Sequence, residues 1–183
     1  MAGTVIREMK VLELGVVRRL TLAAYEEFGA LMPPPVWARY RESIVNTLNT
    51  PGPAERIVAL LEDSLVGSVL LYPASVDAYG RAARRADYPE VRFLAVAPGA
   101  RGLGIGKALM LECERRARRA GAARIGLHTT DLMQTAMKMY ERMGYLRVTD
   151  TDFAAAPGVL VKGYRLALGC QQTNLLGVWP PSP

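Results

Sequence analysis

The sequence predicts a single domain of mixed α/β class, in which strands and helices follow one another as β-α-α-β-β-β-α-β-α-β-β. Three observations predict it. The chain has 183 residues, 50% of them apolar, enough to bury one core. Apolar residues recur with a period near two in some segments and near 3.6 in others, and Gly or Pro clusters separate the segments. A glycine-rich turn, "ARGLGIG", joins a β-rich run to a long helical pattern.

The elements follow in order. Residues 4–9 mix β-branched and polar side chains and predict a strand. Residues 11–28 place Leu14, Val17, Leu20 or Thr21, Ala24 and Phe28 at helical spacing. "MPPP" stops that helix, and residues 36–48 predict a second one before the loop 49–53. Two apolar runs, 57–61 and 65–71, flank "EDS" and predict an antiparallel hairpin. Residues 77–89 form an arginine-rich loop, and 90–96 a fourth strand. Residues 104–120 carry Ile105, Leu109, Cys113, Ala117 and Ala120 on one helical stripe, with Gly121 as the stop. A strand at 124–130 is followed by a helix at 134–143, where Asp131 and Gln134 have capping-box spacing. Strands at 145–149 and 160–168 close the domain. Residues 1–168 are therefore expected to be the domain, and 169–183, with Trp179 and several prolines, a tail that is loose or packed on a partner.

Composition excludes several classes. No run of about 18 apolar residues occurs, so no membrane-spanning helix is expected. Arg7, Glu8 and Lys10 stand where a signal peptide needs an apolar stretch, and the expected location is the cytoplasm. Cys113 and Cys170 make no disulfide framework and are expected to be free thiols. The net charge of +6, mostly arginine, favours anionic partners without choosing one. The cluster "ERRARRAG" is expected to be a solvated helix face, because no aromatic residues interleave to stack on nucleic-acid bases. His128 is the single histidine, mid-strand, and is expected to be a packed residue. No cluster of His, Cys and carboxylates has metal-ligand spacing, so no metal is expected.

A strand, a glycine-rich turn and a helix make an anion site. The first N–H groups of a helix lack internal partners, and the helix dipole adds partial positive charge there. Two phosphate motifs fail against the spacing. A Walker A loop needs Gly where Arg101 stands and Ser or Thr where Ala108 stands. The dinucleotide fingerprint needs a third Gly where Lys107 stands. The spacing [RQ]-x-x-G-x-[GA], met by Arg101, Gly104 and Gly106, resembles the pyrophosphate loop of the GNAT superfamily of N-acetyltransferases. "RFLAVAP" precedes that loop. The segment "TAMKMYERMGY" is similar to the family's A-x-x-x-Y-x-x-x-G-[FY] helix, and the element order from residue 4 to 168 matches as well.

That resemblance implies a GNAT-like sheet of about seven strands, mainly antiparallel, with helices on both faces and a splay between the fourth and fifth strands. It implies acetyl-CoA as cofactor, with its pyrophosphate on the amides of Arg101, Gly102, Leu103, Gly104, Ile105, Gly106 and Lys107. The pantetheine would pair with the backbone of Leu94, Ala95 and Val96, the Val96 N–H serving as oxyanion donor. The family often has Asn where Met133 stands, so that contact is expected to be lost or to be supplied by Gln134 or Thr130. Tyr140 is the candidate proton donor to the leaving thiolate, and Glu90 the candidate base for the amine. Asp87, Glu26 and Glu27 are weaker alternatives to Glu90.

The acceptor is expected between the first two helices and the loop 150–158, near Tyr25, Phe28, Trp37, Tyr40 and Glu90. Aromatics beside Glu26 and Glu27 suit an amine carrying apolar bulk. The reaction implied is acetyl transfer to a primary amine by direct attack, with a small molecule or a protein as acceptor. The alternative is a CoA-binding regulatory module of the same fold. No nucleic acid or membrane is expected as a partner, and a homodimer is left open.

Overall fold

In the computed structural model, which describes residues 3–75, 86–156 and 158–169, the strands form one seven-stranded sheet. They are β1 (Thr4–Glu8), β2 (Glu55–Leu61), β3 (Ser64–Tyr72), β4 (Glu90–Val96), β5 (Arg124–Thr130), β6 (Leu146–Ala156) and β7 (Val159–Ala167). Their order across the sheet is β1-β2-β3-β4-β5-β7-β6. Every neighbouring pair is antiparallel except β4 with β5. Four α-helices accompany them: α1 (Leu14–Gly29), α2 (Pro34–Asn49), α3 (Ile105–Arg119) and α4 (Gln134–Arg142).

Strand alternation sorts the core into two layers. Ile57, Ala59, Val69 and Leu71 point to one face, where Ile105, Leu109, Cys113 and Ala117 of α3 and Tyr140 of α4 cover them. Val58 and Leu70 point to the other, under Val17, Leu20 and Ala24 of α1 and Ile44 and Leu48 of α2. A buried polar contact, Thr21 Oγ1 to Ser68 Oγ at 3.2 Å, ties α1 to β3. The β2–β3 hairpin turns on Glu62 and Asp63, both at positive φ, the backbone of a two-residue turn that matches strand twist.

Four local expectations are corrected. Residues 11–13 form a 3-10 turn with Val11 and Leu12 exposed, and α1 starts at Leu14. Ala120 is exposed at the end of α3, because the helix stops at Arg119 before it can point inward. The capping box does not form: Gln134 Nε2 donates to the Asp131 carbonyl at 2.7 Å, and the Asp131 carboxylate pairs with Lys162. Most of the expected loop 150–158 belongs to β6, which leaves its ladder with β7 between Val148 and Phe153 and then rejoins it. The polar run "TDTD" hides that strand, since β propensity is weaker than pairing context. The arginine-rich segment 76–85 and the tail from 170 lie outside the described residues.

Glu13 braces β1 against the start of α1. Its carboxylate accepts from Arg7 at 2.5 and 2.9 Å and from the Lys10 N–H at 2.7 Å. The Arg7 guanidinium is the largest cause that holds its acidity at about 2 instead of the ordinary 4.5. A carboxyl depressed on folding stabilises fully above its ordinary value and loses that contribution as pH falls through the folded one. Glu13→Gln should therefore lower the melting temperature at pH 7, and the gap to wild type should close between pH 4.5 and about 2. A gap that is unchanged across that window in thermal scans would remove the charge from the account.

Candidate active site

The turn after β4 is shaped for an anion. Gly102 and Gly104 have φ of 79° and 80°, a region that costs other residues a steric penalty. Gly104 immediately precedes α3 with no side-chain cap, and the helix's first bond runs from the Ala108 N–H to the Gly104 carbonyl at 3.0 Å. The N–H groups of Ile105, Gly106 and Lys107 thus project from the helix start. A Cβ at Gly102 or Gly104 would meet no heavy atom within 4 Å, so the space over the turn is open. A Cβ at Gly106 would make ordinary contact with Met139 Sδ at 3.5 Å and Val96 Cγ2 at 3.6 Å. The Arg101 side chain turns away from the anion position: it donates to Glu27 at 2.8 Å and to the Ala24 carbonyl at 3.0 Å, tying the loop to α1.

β4 and β5 pair only at Glu90 with Gly126 and Val91 with Leu127. A bulge in β4, where the register with β3 slips between Ser68 and Leu70 and Phe93 takes φ +49°, re-aims the rest of the strand. The ladder with β5 ends there, and Leu94 to Val96 are in no pairing with it. The Tyr25 hydroxyl donates to the Leu94 carbonyl at 3.2 Å. Across the gap, the buried hydroxyls of Thr129 and Thr130 have no hydrogen-bond partner among the described residues. Buried polar atoms in that state ask for a ligand or water.

Two cavities open from this gap. A groove of about 740 Å³ runs over the glycine turn between α3 and α4. Leu94, Ala95, Val96, Arg101, Gly102, Gly104, Ile105, Gly106, Lys107, Gln134 and Tyr140 line it, while Leu103 points to solvent. A second cavity, of about 340 Å³, lies between α1, α2, β4, β5 and β6. Tyr25, Leu94, Met133 and Tyr140 line both, so the two spaces meet at these four residues. Burial pushes the pKa of the Tyr140 phenol well above its ordinary value and keeps it protonated.

The acceptor-side candidates disperse. Tyr25 and Tyr40 line the second cavity, and β6 contributes Phe153, Ala154, Ala155 and Ala156. Phe28 lines the groove instead, and Trp37 lines neither space, packing 6.2 Å from Tyr40. Glu27 is engaged by Arg101 and Asp87 by Arg124 at 2.6 Å; Glu26 lines neither cavity. Glu90 is 3% exposed and stands behind the wall, its Oε1 3.4 Å from His128 Nδ1. The other ring nitrogen of His128 faces the Thr151 carbonyl at 3.0 Å; a carbonyl only accepts, so Nε2 carries a proton.

Several lining residues escape a motif search. Arg142 and Met139 complete the groove, Met139 one helical turn beyond Ala136 on α4. Arg39 and Arg92 stand on the second cavity. Arg92 did carry a signal, an arginine inside the apolar strand "EVRFLAV". Among the described residues no cluster of metal-ligating side chains occurs, and no helix is long and apolar enough to cross a membrane.

An open glycine turn at a helix start, cationic Lys107 and Arg142, and a parted strand pair fit a coenzyme A thioester. The fold and groove define the class of CoA-dependent acyltransferases. The chain belongs to the acetyltransferase (GNAT) family, whose model matches residues 17–145. That family uses acetyl-CoA, and its members act on acceptors such as proteins or small molecules. Among solved structures, an acetyltransferase of the GNAT family from Staphylococcus aureus shares 17% identity at a TM-score of 0.64, over 91% of this chain and 100% of its own. A GNAT family acetyltransferase from Brucella melitensis, in complex with acetyl-CoA, shares 20% identity at a TM-score of 0.58, over 92% and 90%. A ribosomal-protein-alanine N-acetyltransferase from the same organism shares 17% at 0.60, over 89% and 99%. No curated protein matches the chain.

The glycine turn yields a paired test. Acetyl-CoA should raise the melting temperature of the wild type, since a ligand that binds only the folded state stabilises it by mass action. Gly104→Val should abolish that shift, while Gly106→Ala, whose Cβ has room, should retain it. A full shift in Gly104→Val would take the turn out of the site.

Proposed function

We propose that the chain transfers the acetyl group of acetyl-CoA to the primary amine of an acceptor held in the second cavity, by direct attack. The observation that carries this reading is the meeting of the two cavities at a wall that includes Tyr140, beside the segment of β4 that does not pair with β5. Acetyl-CoA, when bound, supplies the acetyl group activated as a thioester.

Each residue role follows from position. The amides of Arg101 to Lys107 and the side chains of Lys107 and Arg142 hold the phosphates. The exposed backbone of Leu94 to Val96 supplies the strand partner that β5 does not, and the Val96 N–H polarises the carbonyl. Gln134 lines the groove where Met133 cannot offer a polar contact, and Thr130 adds a buried hydroxyl across the gap. Tyr140 gives its proton to the departing sulfur, whose conjugate acid has a pKa of about 8.5 by analogy with free cysteine. The amine arrives as an ammonium and must lose a proton to attack. Glu90, buried and lining neither cavity, is the carboxylate proposed to take it up through water. As the C–N bond forms and the C–S bond breaks, an ammonium and a thioester become an amide, a thiol and one released proton.

Thiol release from acetyl-CoA against a panel of amines tests the activity; a panel in which no amine accelerates release would refute it. Tyr140→Phe should lower kcat about 10- to 1000-fold with little change in CoA affinity, because it removes the donor and keeps the ring. Wild-type kcat in that variant would reduce Tyr140 to packing. Glu90→Gln should depress kcat/KM most at low pH and recover partly at high pH, where more amine is already neutral. A wild-type pH profile in Glu90→Gln would exclude it as the base.

A further inference from the structure

The wall of the second cavity carries a buried line of three polar groups. Glu90 heads β4, and its Oε1 lies 3.4 Å from His128 Nδ1. The other ring nitrogen meets the Thr151 carbonyl at 3.0 Å. His128 lines the cavity and Glu90 does not. The parallel pairing sets the carboxylate there: Glu90 sits opposite Gly126, two residues before His128 on the same face of β5. β6 sets the ring. Gly163 stands opposite His128 on β7, and a Cβ there would clash with Thr151 Oγ1. Without that side chain the excursion of β6 folds over β7 and brings the Thr151 carbonyl to the imidazole. Phe153 packs beside it, 5.5 Å between ring centres.

We propose that Glu90 and His128 act as one base. His128 is the positioning residue: it holds the carboxylate at the cavity wall, and the pair, not Glu90 alone, receives the acceptor's proton. Its role as base rests on the acetyl-transfer reading of the same site. The chemistry follows from hydrogen-bond roles. A carbonyl only accepts, so Nε2 donates to Thr151, and a neutral ring turns the Nδ1 lone pair toward Glu90. A carboxylate is also an acceptor, so this contact of two acceptors is a site for one proton. On binding it the pair goes from net charge −1 to 0, whichever partner the proton is counted on. Neutralisation inside the wall is favourable, because a buried charge costs free energy unless it is paired. In turnover the ammonium N–H bond breaks and the proton passes by water to the Oε1–Nδ1 contact. It returns to solvent once the amide has left. Catalytic contacts of this length tighten when the proton arrives.

The charged and titratable neighbours leave Glu90 as the carboxylate for the ring. On β6, Asp152 is within electrostatic reach of His128, but Arg147 pairs with it and holds its carboxyl below the ordinary range. Its other oxygen accepts from the Gly163 N–H at 3.0 Å. On β3, Tyr72 is in register with Glu90, and on β4 the Arg92 Cζ lies 5.9 Å from the centre of the Tyr72 ring. Across the cavity stand Tyr25 on α1, Arg39 and Tyr40 on α2, and Tyr140 on α4. Burial pushes the Tyr40 phenol up to about 12 and raises the Tyr140 phenol too, so both stay protonated. Among these neighbours the one other carboxylate, Asp152, is already committed.

The chain has a single histidine, so one isotope-labelled imidazole reports on the pair. Ring nitrogen NMR of the CoA-loaded wild type should show Nε2 protonated throughout the pH range of activity and Nδ1 changing state in a single step. In Glu90→Gln that step should move toward acid by about one pH unit or more, because a carboxylate favours the charged ring and an amide does not. An Nδ1 step that ignores Glu90 overturns the proposal. So does an unprotonated Nε2 in the wild type, a result that needs no variant. Thiol release supplies the second readout. His128→Gln should lower kcat/KM about ten-fold or more, with the same deepening of the loss toward low pH as Glu90→Gln. The double variant should fall no more than about three-fold below the worse single one, since groups that act as a unit are not additive. The rise in melting temperature with CoA should stay as in the wild type, since His128 lines the acceptor cavity and not the groove. Losses that multiply in the double variant reduce His128 to packing and overturn the pair. Release at the wild-type rate in His128→Gln does the same, and both outcomes leave acetyl transfer standing. If no amine releases thiol from the wild type while the Nδ1 step still follows Glu90, acetyl transfer falls and the pair loses its role as base.

Discussion

Everything in this site depends on two strands that run parallel for two residue pairs and then part. A sheet gains by satisfying every backbone N–H and C=O, and an interior strand left unpaired is costly unless something else occupies its edge. Here β4 leaves β5 after Val91, and the bulge at Phe93 makes the departure permanent by turning the chain out of register with β3 as well. The Tyr25 hydroxyl meets one freed carbonyl, that of Leu94. In the proposed reading the remaining edge serves the pantetheine arm. The junction itself is held tight: the Tyr88 ring passes 2.3 Å from where a Cβ on Gly126 would lie, and the Gly126 N–H reaches the Pro89 carbonyl at 2.9 Å. Glycine is needed at that point because an aromatic ring already fills the place of its side chain.

The excess positive charge divides into two populations. On the outer face of α3, Arg115 and Arg116 pair with Glu112 at 2.5 and 2.7 Å, and Arg116 also reaches Glu55 at 2.5 Å. These are surface networks screened by solvent, and they account for Arg115 and Arg116 of the densest arginine cluster without a partner molecule. The second population faces the cavities. Lys107 and Arg142 stand on the groove, and Arg39 and Arg92 on the smaller cavity. The groove, with Lys107 and Arg142 beside the glycine turn, is therefore suited to phosphate. Arg101 belongs to neither population. It spends its guanidinium on Glu27 and the end of α1, so the helix that lines both cavities is fixed to the loop that closes one of them.

The α4 segment shows how packing and chemistry share residues. Tyr140 and Tyr145 lie 6.0 Å apart by ring centroid and both are buried. Gly144, at φ 89°, ends the helix between them and lets the chain turn into β6. Tyr145 is fully core, while Tyr140 touches the junction of the two cavities. Cys113, beneath them, is a small hydrophobe: burial raises its thiol and keeps it protonated, which removes it from any nucleophilic role.

The sequence by itself determined the class, the element order and the cofactor turn, because these are local. Glycines at Gly102 and Gly104 are demanded by backbone angles, and the stripes on α1 and α3 by a helical period that needs no knowledge of neighbours. Only the tertiary structure decided the rest. The run 150–158 carries no alternation, and it becomes strand because β7 offers a ladder to rejoin. Phe28 and Trp37 share helices with Tyr25 and Tyr40, and helix rotation sends them to a different space or to none. Glu27 was one of three acidic residues that composition could not rank, and a partner 74 positions away removed it from the acceptor side. Glu90 was legible as a carboxylate at the head of a strand, but its burial against His128 follows from the parallel pairing of β4 with β5. Motifs record what a backbone must do locally; which side chains share a cavity, and with what net charge, is set by contacts between segments far apart in the chain.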